Sequence, residues 1–470
     1  MAIHFNEGET KIRPGVYQRH SNTGFDILTG AQDGICAIAI KASWGPLGKV
    51  VKNTLQSELI KNYGNGEYSA TYTVPAAAEM FKGGASTVYT YRLGNGGKQA
   101  TLTVEGLTFT AKYVGTQPIS VAIQEKLGDS TRKQLLVYAG TKQVEFFEFT
   151  ADGENEGANL IKQVANSEYI TVTGEAATVS ALAVASGVLA GGEDPTVEVS
   201  DYSDAWAALE SYYYNTIALD VDDDADMTLS FMLQEYLKNA NKMGKLGIAV
   251  VGQKSTVTFE VRCKNSLAFN DEKVVFLGGG WLNGTENKDG ALAICYTAGV
   301  IAATPSNKGI TRTVITGATE LCESITYAQH EDAIRSGMLM VDRSANGAIW
   351  YASAYNTLTS PESETQDDGW KKIRRVKVRF EMFDRIDREL DPKVGKVSAD
   401  SDGVADIIQA AQRVLDSMVR EGKLFEGATI IEDPANPFDG DSAWFIIQSD
   451  DIDSLERIYL HYQFRYSQNS

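Results

Sequence analysis

The chain has 470 residues, 43% of them hydrophobic and 22% charged, which fits several ordinary globular domains and excludes a mainly disordered protein. Its formal net charge of -19 argues against nucleic acid or an anionic membrane as the main partner, because both attract cationic surfaces. No run approaches the roughly 18 apolar residues of a membrane span, and the first residues do not resemble a signal peptide, so we expect a protein made and kept in a cytoplasm.

Cysteine and histidine positions argue against metal or redox chemistry. The four cysteines include no C-x-x-C pair, and the four histidines are equally scattered. Neither a zinc site nor a Ser-His-Asp catalyst has local support. We therefore predict no cofactor, no metal site and no catalytic residue.

Residues 1–20 are predicted to form an extended N-terminal arm. They are polar, have few apolar anchors and end near a Pro-Gly pair, so they cannot form a core of their own. The candidate contact residues of this arm are Ile3, Phe5, Ile12, Val16 and Tyr17.

Residues 21–93 are predicted to form the first part of a main domain. We expect a buried strand at 35–40, a turn at Trp44-Gly45-Pro46, a short helix at 75–81 and a strand at 87–91. Residues 94–193 then change to short Thr- and Val-rich runs separated by glycine, with one helix near 157–166. This spacing predicts a mostly-β outer module that is inserted into the main domain and ends at Gly191 to Pro195.

Residues 194–318 are predicted to continue the main domain as an α/β unit. Helices are expected near 204–213, 225–242 and 291–303, alternating with strands at 216–220, 246–251 and 274–277. Such alternation indicates βαβ units around a largely parallel sheet.

Two motifs in this unit have some features of ligand-binding sites. Gly278-Gly279-Gly280 follows a strand, but Asn283 stands where a dinucleotide-binding loop has its third glycine, so we interpret it as a structural turn. The acidic run from Asp220 to Asp226 lacks the glycine and glutamate of an EF-hand. It is interpreted as a helix start, with a metal or polar interface as the alternative.

Residues 319–454 are predicted to form an α+β C-terminal domain, and residues 455–470 a C-terminal linking strand. Hydrophobic side chains alternate along the last run, which predicts a half-buried strand. It could complete a sheet of its own chain or be lent to the sheet edge of a neighbour. Its candidate contact residues are Ile458, Leu460, Tyr462 and Phe464.

A basic segment stands out in this acidic chain. Six cations fall within residues 371–379, and helical spacing would place Lys371, Arg375 and Arg379 on one face. Two interpretations remain open: a solvated helix face balanced by Asp384 and Asp387, or a docking face for an acidic protein.

Several segments, in order along nearly the whole chain, resemble the contractile tail sheath family, and more closely its myophage and PBSX-like prophage branch. The matching segments are Arg13-Pro14-Gly15-Val16-Tyr17, Trp44-Gly45-Pro46, Met80-Phe81-Lys82-Gly83-Gly84-Ala85, Val88-Tyr89-Thr90-Tyr91-Arg92, Thr297-Ala298-Gly299, Pro305-Ser306-Asn307-Lys308, Ser336-Gly337-Met338-Leu339, residues 370–375 and residues 451–462.

The resemblance implies a structural subunit, not an enzyme, that stacks in generally six-fold rings around an inner tail tube. Such a sheath contracts to drive the tube through a bacterial envelope, and its arms link neighbouring subunits. Baseplate and tail terminator proteins are further implied partners, and the implied location is a virion tail assembled in the host cytoplasm. From charge alone, the candidate tube-facing residues in the C-terminal domain are Lys371, Lys372, Arg374, Arg375 and Arg379.

Three alternatives to a phage tail sheath remain open from the sequence. The chain could belong to the sheath of a phage-derived bacteriocin-like particle or another contractile injection system. It could be an adhesin or another static surface protein. The alternative of a different class, an α/β nucleotide-binding enzyme, is disfavoured by the broken glycine motif.

Overall fold

The computed structural model describes residues 33–174, 179–221, 227–362 and 366–464, together with two short strands near the N-terminus, β1 (Ile3–His4) and β2 (Tyr17–Gln18). These two strands pair in parallel, with Ile3 opposite Tyr17. The predicted arm residues Phe5, Ile12 and Val16 lie outside the described residues, as does the acidic run 222–226. None of the described helices is both long enough and apolar enough to cross a membrane.

The main domain begins with three strands and two helices. Its first strand is buried along its whole length, as expected for the centre of a parallel sheet. Pro75 lies in the first turn of the second helix, where no intrahelical hydrogen bond is lost. The elements are β3 (Ile35–Ile40), β4 (Val50–Asn53), α1 (Gln56–Tyr63), α2 (Val74–Lys82) and β5 (Thr87–Arg92).

The inserted module follows β5 and has a core of its own. It contains β6 (Thr101–Val104), β7 (Leu107–Ala111), β8 (Ile119–Lys126), β9 (Asp129–Ala139), β10 (Lys142–Thr150), α3 (Glu156–Val164), β11 (Ile170–Gly174) and β12 (Ala185–Val188). Two antiparallel sheets, β10-β9-β8-β12 and β11-β7-β6, enclose a cluster that includes Phe109 and Leu135. Asn95 pairs with Thr196, so the chain leaves and re-enters the main domain at one place.

The main domain then resumes with alternating helices and strands. These are α4 (Val199–Leu209), β13 (Thr216–Ala218), α5 (Thr228–Lys242), β14 (Ile248–Gly252), α6 (Phe259–Phe269), β15 (Val274–Leu277), β16 (Trp281–Asn283), β17 (Glu286–Lys288), α7 (Ala291–Ala303), β18 (Glu320–Leu321), α8 (Tyr327–Arg335) and β19 (Met338–Leu339). The bounds of β15 and α7 agree with the sequence prediction. Helices α1 and α6 were not predicted, and α4 begins earlier than expected.

Seven strands form the main sheet in the order β19-β15-β14-β13-β3-β5-β4. All neighbours are parallel except β4, which runs antiparallel to β5. Helices α2 and α7 cover one face of the sheet, and α4, α5 and α6 cover the other. Because β19 belongs to this sheet, the main domain extends past residue 318, where the sequence had placed its end.

The C-terminal part consists of β20 (Val341–Arg343), β21 (Ile349–Tyr351), α9 (Ile373–Leu390), α10 (Ser401–Arg420), β22 (Thr429–Glu432) and β23 (Phe445–Gln448), with short 3-10 turns at Asp368–Lys371 and Asp391–Lys393. Helices α9 and α10 pack around Val378 and Leu415. Asp400 caps α10 by accepting a 2.9 Å hydrogen bond from the Gly403 amide. The predicted fold class, an α/β main domain with an inserted β module and an α+β end, is confirmed.

Candidate assembly site

The C-terminal segment leaves the body without regular secondary structure from Ile452 to Phe464. Its alternating hydrophobic side chains are exposed: Ile458 is 70% exposed and Phe464 is 92% exposed, and Leu460 and Tyr462 are similar. The half-buried strand predicted here does not form, because no strand in the described parts of the chain pairs with this run. Four hydrophobic side chains on alternate residues therefore remain available to another molecule.

Among the described strands, a small sheet in the C-terminal part has no neighbour at its edges. Strands β22 and β23 pair only with each other among the described strands, with Ile430 opposite Ile447. Ile431 is exposed, and every residue of β23 is only half-buried. An open edge of this kind can accept a strand from another chain.

The basic segment begins helix α9 and binds acidic residues of the same chain. Arg375 donates from Nε and Nη2 to the two carboxylate oxygens of Asp451, at 2.5 and 2.7 Å. Arg379 donates to the same carboxylate at 3.1 Å. Lys372 donates to Glu456. We call these five residues the anchor cluster: Lys372, Arg375, Arg379, Asp451 and Glu456.

The anchor cluster is shielded from solvent and electrostatically matched. Burial alone would raise the pKa of Asp451, but the hydrogen bonds and charges of Arg375 and Arg379 outweigh burial and lower that pKa. The hydrogen bond to Asp451 in turn raises the pKa of Arg375. The Arg379 guanidinium also stacks 4.4 Å from the ring centroid of Trp370. These cations are held in place on several sides.

The structure changes the interpretation of the basic segment. The side chains of Arg375 and Arg379 are only 23% and 11% exposed, so they do not form a solvated face. The carboxylate of Asp451 pairs with both guanidinium groups, and Asp367 pairs with Arg379 as well.

The remaining candidate tube-facing residues are also engaged. Lys371 lies outside α9, in the 3-10 turn, and its ammonium is 2.8 Å from Asp368. Arg374 is buried and contacts Ser454 at 3.4 Å. A tube-facing role stays a prediction, and any acidic partner would compete with these pairs.

The opposite face of α9 contacts the end of helix α7 and Asp33. Lys377 is buried and donates to the main-chain carbonyls of Ile301, at 2.6 Å, and Thr304, where α7 ends. Its Nζ lies 3.8 Å from the carboxylate of Asp33. Burial lowers the pKa of Lys377 to about 8. Sequence reasoning grouped Lys377 with the other cations, although its two-residue offset from Arg375 already places it on the other side of a helix.

At the position where an α/β enzyme would bind its ligand, a buried carboxylate is hydrogen-bonded to side chains of the chain itself. The strand order reverses between β3 and β13, and such switch points commonly hold ligands. Asp220, which follows β13, is fully buried there. Its two carboxylate oxygens accept hydrogen bonds from Tyr202 and Thr73, each at 2.6 Å. Both oxygens are therefore satisfied within the chain.

The glycine run after β15 is a tightly packed turn. A Cβ on Gly280 would lie 2.3 Å from the carbonyl oxygen of Lys288, and a Cβ on Gly278 would lie 2.3 Å from the sulfur of Met338. These glycines are needed for close packing of main chain and core. Within the described ranges, no group of three or more His, Cys, Asp or Glu residues could hold a metal ion.

Comparisons with known proteins match one family model to part of the chain and find relatives at low identity. Residues 196–352 match the family model described as the phage tail sheath protein central domain. The uncharacterized protein YqbK of Bacillus subtilis is 24% identical over 407 residues, which are 82% of this chain and 80% of that protein. The phage-like element PBSX protein XkdK, also from Bacillus subtilis, is 27% identical over 244 residues, or 48% of this chain and 50% of that protein.

Solved structures share the fold. The sheath tail protein from Desulfitobacterium hafniense has a TM-score of 0.69 at 22% identity, over 90% of this chain and 97% of that chain. The sheath tail protein Lin1278 from Listeria innocua has a TM-score of 0.67 at 20% identity, over 90% and 96% of the two chains. The helical sheath of the anti-feeding prophage in its contracted state has a TM-score of 0.52 at 12% identity, over 97% and 99%.

Proposed function

We propose that this chain, a member of the phage tail sheath family through the central domain at residues 196–352, is a structural subunit of a contractile sheath. The family predicted from the sequence is confirmed by that domain and by the similarity to the PBSX protein XkdK. In this function the subunits polymerise into stacked rings around an inner tube. Their contraction drives the tube through a bacterial envelope.

The exposed C-terminal segment is the observation that carries the proposal. Burying a side chain such as Ile458 or Phe464 contributes about 1.5–3 kcal/mol, whereas ordering each residue of an arm costs about 1–2 kcal/mol of backbone entropy. The segment gains enough only if a partner supplies both apolar contacts and strand hydrogen bonds. The open sheet of β22 and β23 on a second copy of this chain offers both.

The N-terminal arm has the same proposed role. Its predicted contact residues Ile3 and Tyr17 lie in strands that pair with each other through their backbones. Linking through both termini would connect each subunit to more than one neighbour. A lattice connected in this way can change state cooperatively, because a small free-energy difference per subunit is summed over many copies.

The proposal extends to the particle and to its other partners. The structures with the same fold include an anti-feeding prophage sheath and baseplate, so a phage tail and a related injection system are both within the proposal. Six-fold rings, an inner tube protein, a tail terminator and assembly in the host cytoplasm are parts of the proposal. Lys371 is the candidate tube-facing cation whose ion-pair partner among the described residues, Asp368, is highly exposed.

Electron microscopy of the purified full chain tests the function. The wild-type protein should form tubes. Changing Ile458, Leu460, Tyr462 and Phe464 to Ser should leave a folded monomer with an unchanged melting temperature that forms no tubes. The matched control changes Tyr459, His461 and Gln463, which alternate with these residues, to Ser and should still form tubes. Normal tubes from the first variant, or its unfolding, would overturn the linking role.

A further inference from the structure

We propose that the anchor cluster fixes the point at which the C-terminal segment leaves the body, so that the pull of a neighbouring subunit enters the body through helix α9. The proposal rests on the proposed function, since it assigns the attachment of an arm that the function requires. It adds a positioning role for Arg375, Arg379 and Asp451, which the linking residues beyond 457 do not have.

Within the described residues, the polar contacts between the segment and the body end just after the cluster, at Arg457. The amide of Ile452 donates to the carbonyl of Lys423 at 2.9 Å, and the carbonyl of Asp450 accepts from Phe425 at 2.9 Å. Glu456 is held by Lys372 and by the hydroxyl of Thr311, at 2.8 Å. Leu455, beside Glu456, is already 81% exposed, and Arg457 still contacts the hydroxyl of Tyr355 at 3.4 Å. The alternating exposed run starts at the next residue, Ile458.

The cluster is more than an ordinary surface ion pair. Exposed pairs contribute little, because water screens them and side-chain entropy opposes them. The carboxylate of Asp451 is only 7% exposed and binds Arg375 through two parallel hydrogen bonds. Removing that carboxylate would leave two guanidinium groups facing each other without their shared partner. The attachment should therefore be sensitive to a single substitution.

Helix α9 is well placed to transmit a pull. Arg375 and Arg379 lie on one side of it and Lys377 on the other, because two residues correspond to about 200° around a helix. Lys377 joins the helix to the end of α7 and to Asp33, two residues before β3. A pull that enters α9 through Arg375 and Arg379 can therefore pass directly to α7.

Hydrogen exchange on the monomer tests the attachment directly. In Asp451→Asn and in Arg375→Met, the amide of Ile452 should exchange roughly tenfold or more faster than in the wild-type chain, while exchange in the main sheet stays unchanged. The double variant should be no faster than Asp451→Asn alone, because that substitution already disrupts the contact that Arg375→Met removes. The matched control is Arg335→Gln, which removes an exposed pair with Asp332 on α8 and should not alter Ile452.

Electron microscopy of the same variants tests the consequence. Asp451→Asn should form fewer tubes than the wild-type chain, and tubes with less regular subunit spacing. Unchanged exchange at Ile452 would overturn the anchor, whatever happens to assembly. Faster exchange with normal tubes would overturn the transmission of a pull through α9. If the wild-type chain itself formed no tubes, the sheath function would fail, and the exchange result would still decide the anchor.

Discussion

Gly299 of helix α7 lies directly against the main chain of Met80 in helix α2: a Cβ at Gly299 would stand 2.2 Å from the Met80 carbonyl oxygen. The contact is reciprocal, since a Cβ at Gly83 would lie 2.2 Å from the carbonyl oxygen of Tyr296. Both glycines belong to segments on which the resemblance to the sheath family was based. Two segments far apart in the sequence are therefore one contact in the fold.

The first prediction concerns this crossing. Gly299→Ala should destabilise the chain by about 1–3 kcal/mol, because a main-chain oxygen cannot move aside and the helices must separate. The steric cost of the added Cβ should exceed the favourable change of about 1 kcal/mol in helix propensity when alanine replaces glycine. Urea unfolding measures the change in unfolding free energy. Gly279→Ala is the control, since the nearest atom to its Cβ would be 3.6 Å away, and a similar loss there would refute the explanation.

The second prediction concerns the buried carboxylate of Asp220. Tyr202→Phe removes one of its two hydroxyl donors and should cost about 1–3 kcal/mol of unfolding free energy, because an oxygen is left buried without its partner. Tyr459→Phe, at an exposed tyrosine, should change nothing measurable. A stable Tyr202→Phe variant that gained affinity for a nucleotide would instead point to a ligand site at the switch point.

Sequence patterns predicted the parts of the fold that depend on local periodicity. The strands β3 and β15 and the helix α7 were predicted because each is an uninterrupted apolar run. Helix α6 was missed because its apolar residues do not line one face, and Arg262 is buried within it. Strand β19 was predicted to belong to the C-terminal domain, beyond the boundary at residue 318. It belongs to the main sheet because it pairs with β15, a tertiary contact that the local sequence does not reveal.

The candidate assembly site was predicted in part. The exposed alternation from Ile458 to Phe464 was visible in the sequence because it has the period of a strand. The pairing of Arg375 with Asp451 was not, because residues so distant in sequence meet only through the packing of the C-terminal segment on α9. A cation-rich helix in an acidic chain indicates that acidic residues pair with it, but the sequence does not identify those residues.

The third prediction concerns removal of the inserted module. Asn95 and Thr196 pair through two main-chain hydrogen bonds of 2.9 and 3.0 Å, so a short Gly-Ser spacer between them should close the main domain. Trp44 of the main domain, however, stacks on Tyr169 and meets Tyr113 edge-on inside the module. The deletion should therefore give soluble, folded protein only when combined with Trp44→Ser, because an exposed indole promotes association.

The deletion variant with native Trp44 and the deletion variant with Trp44→Ser are compared. Their solubility and thermal melting measure the effect of exposing the indole. In the full chain, Trp44→Ser alone should lower the stability of the module, since it removes a buried aromatic side chain. If both deletion variants fail to fold with several spacer lengths, the module contributes to the main core and is not autonomous.

The last prediction is a pH dependence that originates at Lys377. Its pKa is about 8 in the folded chain, because burial opposes the charged form more than nearby Asp33 and Glu381 favour it, with Cys36 and Lys423 as weaker neighbours. In the unfolded chain the pKa returns to about 10.5. Between these values the unfolded state holds the Lys377 proton more often than the folded state does, so the contribution of Lys377 to stability rises with pH.

Lys377→Met should remove this rise. The unfolding free energy of the wild-type chain, minus that of the variant, should increase by on the order of 1–2 kcal/mol from pH 8 to pH 10 and stay flat below pH 7. Urea unfolding at each pH measures the difference, and pH 10 is the upper limit because tyrosines ionise in the unfolded chain above it. Lys49→Met, at an exposed lysine, serves as the control and should leave the slope unchanged. If the unfolding free energy of Lys377→Met depended on pH in the same way as that of the wild-type chain, another group would account for the pH dependence. Lys377 would then not be the buried lysine that links α9 to α7.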